Sequence, residues 1–321
     1  MAEGRDKHWF DAQLEVLAQL TRTGRFDDAR TLAQLLEAEP TVTGDAPMGP
    51  LTLAGLPRRL HAALLHLARA EGRLIDKLGW QASQGPALDA LLPMAVLDPM
   101  ERRQAAEMAL APVPRILHQI WIGSLPRPPS LVAWQAWCAR QGRAYCLWDE
   151  AALERIGATD HPVYRRMLAE GDYPGAVDVA RYLVLDAQGG IYLDADFYPA
   201  RDDMDFDHFL PPCGLSSLAE DTPRVTGRGP VLLTNALIST PQAHPALRAL
   251  IRTLPDAVAA LPRAPAWWVT GPLIFTLFAR LCPASMAAHD ILAGHLPRRA
   301  PVAELQRFRD RPGLLIDWKS W

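Results

Sequence analysis

The chain has little cysteine: Cys138, Cys146, Cys213 and Cys282 are spread over 321 residues. They fall in no metal-binding or disulfide spacing, so a zinc site and a disulfide framework are both excluded, and a reducing compartment suits the chain. They read as small buried hydrophobes. There is no basic block. A net charge of −3 leaves nothing to neutralise a nucleic-acid backbone, which excludes nucleic acid as the main partner. A long hydrophobic run is missing too. The most apolar stretch, about residues 267–281, contains Gly271 and Pro272 and is too short to span a bilayer. Residues 1–10 are charged, with no continuous apolar run behind them, so no secretory signal is read. These absences together predict a cytoplasmic protein with no membrane span. What is present is apolar content, 49% of the chain, enough to bury a large core in one catalytic domain plus an extra segment.

Two different texts follow one another. Residues 1–111 read as a helical extension. Leucines and alanines recur at helical spacing over residues 11–39, with a turn at Gly24-Arg25-Phe26 that begins a second helix. This looks like one tetratricopeptide-type helix pair, which cannot bury its own face and must pack on the next helices or a partner. Residues 40–57 read as a loop, and helical pattern resumes over 58–78. The extension is read first as a cap that stabilises its neighbour, and second as a recruiter of partners. From 112 to 321, strands alternate with helices, the pattern of an α/β fold. Strands are predicted ending at Trp121, over 144–148, over Ile191-Tyr192-Leu193 and over 231–238, with a helix over 244–253. Thr270-Gly271-Pro272 predicts a helix start with a threonine cap and proline in the first turn.

The most informative stretch is Gly189-Gly190-Ile191-Tyr192-Leu193-Asp194-Ala195-Asp196. A glycine pair ends a helix, a short β-branched and aromatic strand follows, and two carboxylates leave it one residue apart. Ligands of α/β sheets collect at the carboxyl ends of strands. Residues two apart in a strand share a face, so Asp194 and Asp196 are expected to converge on one divalent ion. The alternative is a solvated turn with two acids. Upstream, residues 173–185 read as a helix carrying Asp178 and Arg181 on one face. They are either a surface ion pair or a carboxylate and a guanidinium fork held beside the metal acids.

Pro114-Arg115-Ile116-Leu117-His118-Gln119-Ile120-Trp121-Ile122-Gly123, then Leu147-Trp148-Asp149, Asp178 with Arg181, and the Gly189 to Asp196 run resemble the family-32 nucleotide-sugar glycosyltransferases with a DXD motif. That family includes yeast-type α-mannosyltransferases and, more distantly, the glucosylating domains of large clostridial toxins. Asn235-Ala236-Leu237-Ile238-Ser239 with His244-Pro245, Thr270-Gly271-Pro272, and Asp317-Trp318-Lys319-Ser320-Trp321 follow in the family's order. The resemblance covers about residues 112–321 and implies a GT-A, Rossmann-like nucleotide-sugar-binding domain.

The family implies Mn²⁺ or Mg²⁺ as cofactor, a UDP- or GDP-sugar as donor, and transfer with retention to a glycan, a lipid-linked molecule, a small molecule or a protein. Asp196 matches the direct metal ligand, and Asp194 the partner of a ribose or sugar hydroxyl and of a metal-bound water. Ser320 and Trp321 match a serine–tryptophan pair that folds over the diphosphate, the hydroxyl near the metal. Asp317 stands where the family often has a histidine, and is a candidate third ligand. Trp121 matches a base-stacking position. Tyr192, Asp178 and Arg181 are counted with the sugar-nucleotide residues, and Asp149 is placed near the nucleotide. Asn235 is either a holder of a sugar hydroxyl or a turn-capping amide. A lone histidine in a strand is more often a core residue, so His118 is given no role. The rival readings are a nucleotide-sugar hydrolase and a catalytically silent binding protein that works through its helical extension.

Overall fold

A computed structural model describes residues 5–43, 48–52, 54–82, 88–219, 232–262 and 264–321. They form two compact units, one built on the first 90 residues and one holding the sheet.

In the first unit the side chain of Asp6 caps helix Lys7–Arg22 by accepting from the Trp9 N–H, satisfying one of the helix's orphan donors. Phe10, Leu14 and Leu17 recur at three and four and are buried against Ala29, Ala33 and Leu36 of helix Phe26–Ala38. Helix Arg58–Glu71 covers the pair with Leu60, Leu64 and Leu67, so the two-helix face is closed by the next helix of its own chain. Residues 40–43, expected as loop, make one helical turn, Pro40–Thr43.

The second unit begins at Leu91, earlier than the sequence division at 112, because helix Pro99–Glu107 packs on helix Pro245–Ala260, with an Arg252–Glu101 ion pair at 2.9 Å. Its main sheet has strands β1 (Ile116–Ile120), β2 (Ala144–Trp148), β3 (Gly190–Leu193), β5 (Leu215–Ala219), β6 (Leu233–Thr240) and β7 (Ala284–Met286). Three further strands, β4 (Phe197–Pro199), β8 (Leu292–His295) and β9 (Leu315–Asp317), form a small sheet. The six-stranded order is β2-β1-β3-β6-β5-β7, with β2, β1 and β3 parallel and β6 antiparallel to both neighbours. This is an α/β fold.

The connections fix where a ligand goes. From β1 the chain crosses through helix Pro129–Arg140 to β2 on one side, then returns through helix Tyr173–Gln188 to β3 on the other side. The strand order therefore reverses between β1 and β3, and the crevice outside their carboxyl ends is the topological switch point of the sheet. Trp121 follows β1 there, and Asp194 follows β3. Beneath lies the core, where Trp134, Trp137 and Phe206 stack against Leu117, Ile191, Leu193 and Leu237. Strand β6 runs two residues further than expected, and its predicted first residue, 231, lies outside the described residues. Helix Pro245–Ala260 outruns its predicted end and carries Pro255 inside.

Candidate functional site

β3 stops at Leu193, so the two acids do not sit on one face of a strand as their spacing suggested. Asp194 to Phe197 is a turn, closed by Phe197 N–H donating to the Asp194 carbonyl at 3.3 Å. Four consecutive carbonyls of this turn are each held by a different residue, two of them from helix Pro129–Arg140. Gln119 Nε2 donates to Asp194 O at 3.3 Å, Ser130 Oγ to Ala195 O, Trp318 N–H to Asp196 O at 2.7 Å, and Trp134 Nε1 to Phe197 O at 2.9 Å. A backbone pinned at every peptide fixes where both carboxylates point.

The two acids then differ in state. Asp194 accepts from the Tyr192 hydroxyl at 2.6 Å and pairs with Arg181 at 3.1 Å. Asp196 is half-buried. Burial, then Asp194, then Asp317 push its carboxyl up to about 7, while Lys319 pulls it down. Such crowding of acids is what a divalent cation relieves. The oxygen donors fit a hard ion such as Mn²⁺ or Mg²⁺. Among the described residues no group of three or more acids, histidines or cysteines could by itself hold a metal ion.

Behind Asp194 stands a buried charged cluster. Arg181 is 4% exposed. It meets Asp178 at 3.0 Å and Asp194 at 3.1 Å, donates to the Asn235 carbonyl at 2.7 Å, and lies over the Tyr192 ring at 4.6 Å. Burial opposes its charge, but Asp194, Tyr192 and Asp178 hold it protonated. Burial pushes Asp178 up to about 6 against the pull of Arg181, Asn235 and Thr270. Its oxygens accept from Asn235 Nδ2 at 2.8 Å and Thr270 Oγ1 at 3.0 Å. Asn235 Nδ2 also reaches the Tyr182 hydroxyl at 3.1 Å. Thr270 is thus not the helix cap its position suggested: Gly271 occupies the cap of helix Pro272–Ala279, with no side-chain bond. The Asn235 amide belongs to the cluster, not to a turn.

In front of the acids opens a cavity of about 370 Å³. Arg181, Tyr192, Asp194 and Asp196 line its inner wall, and Trp121, Tyr173, Lys319 and Trp321 its mouth. Trp121 and Trp321 meet edge to face, 4.8 Å between ring centroids, and the Lys319 ammonium sits 5.3 Å from the Trp321 ring. Of the residues expected here, Asp178 and Asn235 lie behind the wall. Asp317 is on β9 and bonded to His295 at 2.8 Å, and Ser320 faces a neighbouring groove. Asp149 caps helix Glu150–Arg155 through the Ala152 N–H. His118 is a core residue, bonded to the Gly189 carbonyl and the Trp148 indole. Tyr173, Lys319 and His295 went unassigned in the sequence. Only Lys319, a cation inside the tail motif, left a signal there.

With this geometry in view, residues 144–209 match the family model described as "Glycosyltransferase sugar-binding region containing DXD motif". The match spans β2, helix Tyr173–Gln188, β3 and the acidic turn. Through this region the chain is similar to the DXD-motif glycosyltransferases. It is 28% identical over 191 residues to inositol phosphoceramide mannosyltransferase 3 of Schizosaccharomyces pombe strain 972, covering 56% of this chain. The chain spans about half, 49%, of that relative's length. A solved structure, PaToxG glycosyltransferase, aligns over 60% of this chain and 76% of its own, with 17% identity and a TM-score of 0.41. Among the described residues no helix is long and apolar enough to cross a membrane.

Proposed function

We propose that the chain is a metal-dependent, retaining glycosyltransferase that moves a sugar from a UDP- or GDP-sugar to an acceptor hydroxyl. The reading rests on one observation above others: a pinned acidic turn at the switch point of the sheet, opening on a cavity with aromatic walls. Asp196 and Asp194, with Asp317 and Ser320 as further candidates, would hold Mn²⁺ or Mg²⁺. Bound there, the cation supplies a Lewis acid for the departing diphosphate.

The chain's own residues do the rest. Trp121 and Trp321 offer indole surface to a base, Lys319 adds positive charge at the mouth, and Arg181 with Asp178 and Asn235 keeps Asp194 turned toward the sugar. In the transfer the acceptor oxygen bonds to the anomeric carbon, the bond to the diphosphate oxygen breaks, and the hydroxyl proton passes to that oxygen. Of the acids lining the cavity, Asp194 is committed to Tyr192 and Arg181 and Asp196 is assigned to the metal, so neither is free as a nucleophile. That supports attack from the leaving group's side, with positioning and charge stabilisation supplying the rate. The yeast relative's name carries mannose, which makes GDP-mannose the first donor to try. Four free cysteines support a cytoplasmic setting.

The test is a thermal-shift panel of UDP- and GDP-sugars with Mn²⁺, followed by donor turnover with and without acceptors. A donor that raises the melting temperature and turns over faster with an acceptor is expected, because a ligand of the folded state stabilises it. No stabilising donor would leave a silent binding protein. Sugar release indifferent to every acceptor would identify a hydrolase.

A further inference from the structure

Beside the donor cavity runs a second groove, of about 610 Å³. Leu125 and Trp321 are common to both. Its charged side chains are all of one sign: Arg127, Arg298 and Arg299, with no side-chain carboxylate among the lining residues. This is notable in a chain with 36 acids against 33 lysines and arginines.

The guanidiniums are largely uncommitted. Among the described residues Arg299 makes no ion pair, and Arg127 has one, with Asp149 at 4.0 Å between two exposed side chains. Arg298 spends its Nε on the Trp321 carbonyl at 2.7 Å, which leaves its terminal nitrogens. Arg299 is held at φ +60°, a left-handed conformation that costs a non-glycine residue on the order of 1 kcal/mol or more. Its N–H is tied to the Lys319 carbonyl at 2.9 Å. Exposed guanidiniums with no side-chain carboxylate in the lining make a site rich in charged donors. The ligand that matches is one whose oxygens only accept and that carries charge, and a phosphate group meets both conditions.

Resting on the transferase reading above, we infer that this groove is the acceptor subsite, and that the acceptor is a phosphate-bearing molecule. Arg127 and Arg299 grip the phosphate while a hydroxyl of the same molecule reaches past Trp321 to the donor sugar. The phosphate belongs either to a soluble ester or to a lipid headgroup.

The test compares the wild type with Arg127→Gln/Arg299→Gln, using two probes. Glucose 6-phosphate binding is measured by calorimetry, with glucose as control, in the presence and absence of UDP and Mn²⁺. Retention on phosphatidylcholine vesicles is measured with and without phosphatidic acid. Binding of at least one anionic probe is expected, falling tenfold or more in the double variant and partly kept in Arg127→Lys/Arg299→Lys. Response to the sugar phosphate alone assigns a soluble acceptor, and response to the vesicles alone a lipid one. The inference is overturned if the wild type ignores both probes, or if the Gln variant binds them equally. It is overturned too if UDP affinity falls in parallel, since the groove would then be part of the donor cavity. Phosphate binding is read without a donor, so a chain that takes no sugar nucleotide would sink the proposed function and leave this result standing.

Discussion

Arg181 is the residue on which the site's electrostatics turn, because one buried guanidinium faces two carboxylates and a carbonyl. Replacing it with glutamine keeps much of the shape but leaves the buried Asp178 and the half-buried Asp194 without their cation. The expected cost is about 3–5 kcal/mol, the range for breaking a buried pair by removing one partner, read as a lower urea midpoint. Arg181→Lys keeps the charge but not the fork, and is expected to fall between the two. The sequence showed Asp178 and Arg181 three apart on a helix, which permits a pair. It did not show that both are buried, or that the pair reaches Asp194 of another element. That depends on the β3–β6 pairing, which brings Asn235 beside the helix.

At the scale of elements, the Gly189-Gly190 junction sets where β3 emerges. Gly189 sits at φ +62°, and a Cβ there would lie 2.5 Å from the Gln242 backbone nitrogen. Gly189→Ala therefore meets both strain and a clash with main chain that cannot rotate away. It is expected to cost on the order of 1–3 kcal/mol, seen as a lower melting temperature, and to weaken donor binding because the acidic turn follows within five residues. The tail behaves differently. Lys319, Ser320 and Trp321 follow the last strand, β9, and lie outside the core. Deleting Ser320 and Trp321 is expected to leave the melting temperature nearly unchanged while donor turnover falls by orders of magnitude. Equal turnover in the shortened chain would reject a role for the Trp121–Trp321 contact in catalysis. Most elements were legible from periodicity and punctuation. The turn at Asp194 to Phe197 was not, because its geometry is imposed by Gln119, Ser130, Trp134 and Trp318, each distant in sequence.

For the molecule as a whole, buried histidines couple stability to pH. His244 is fully buried, and its Nδ1 accepts from the Ala246 N–H at 3.3 Å, so the ring is neutral. Burial lowers its pKa to about 4. A group whose folded pKa lies below its unfolded value of about 6.5 gives stability that is complete above that value and is lost as pH falls toward 4. His244→Asn lacks this dependence. Its stability deficit against the wild type is therefore expected to narrow by on the order of 1–3 kcal/mol between pH 6.5 and 4, measured by urea unfolding at each pH. Differencing the two chains cancels the opposite contributions of Asp178 and Asp196, whose folded pKa values are raised. The sequence alone determined the α/β order of elements, the helical character of the first part, and the identity of the acidic pair, because periodicity, glycine punctuation and motif order are local properties of the chain. The tertiary structure decided the rest: which acid is spent on Arg181, that Asn235 and Thr270 serve the buried cluster, and that three arginines from two loops share one groove. Those facts depend on strand order and burial, which bring together residues up to about two hundred positions apart and which no local pattern encodes.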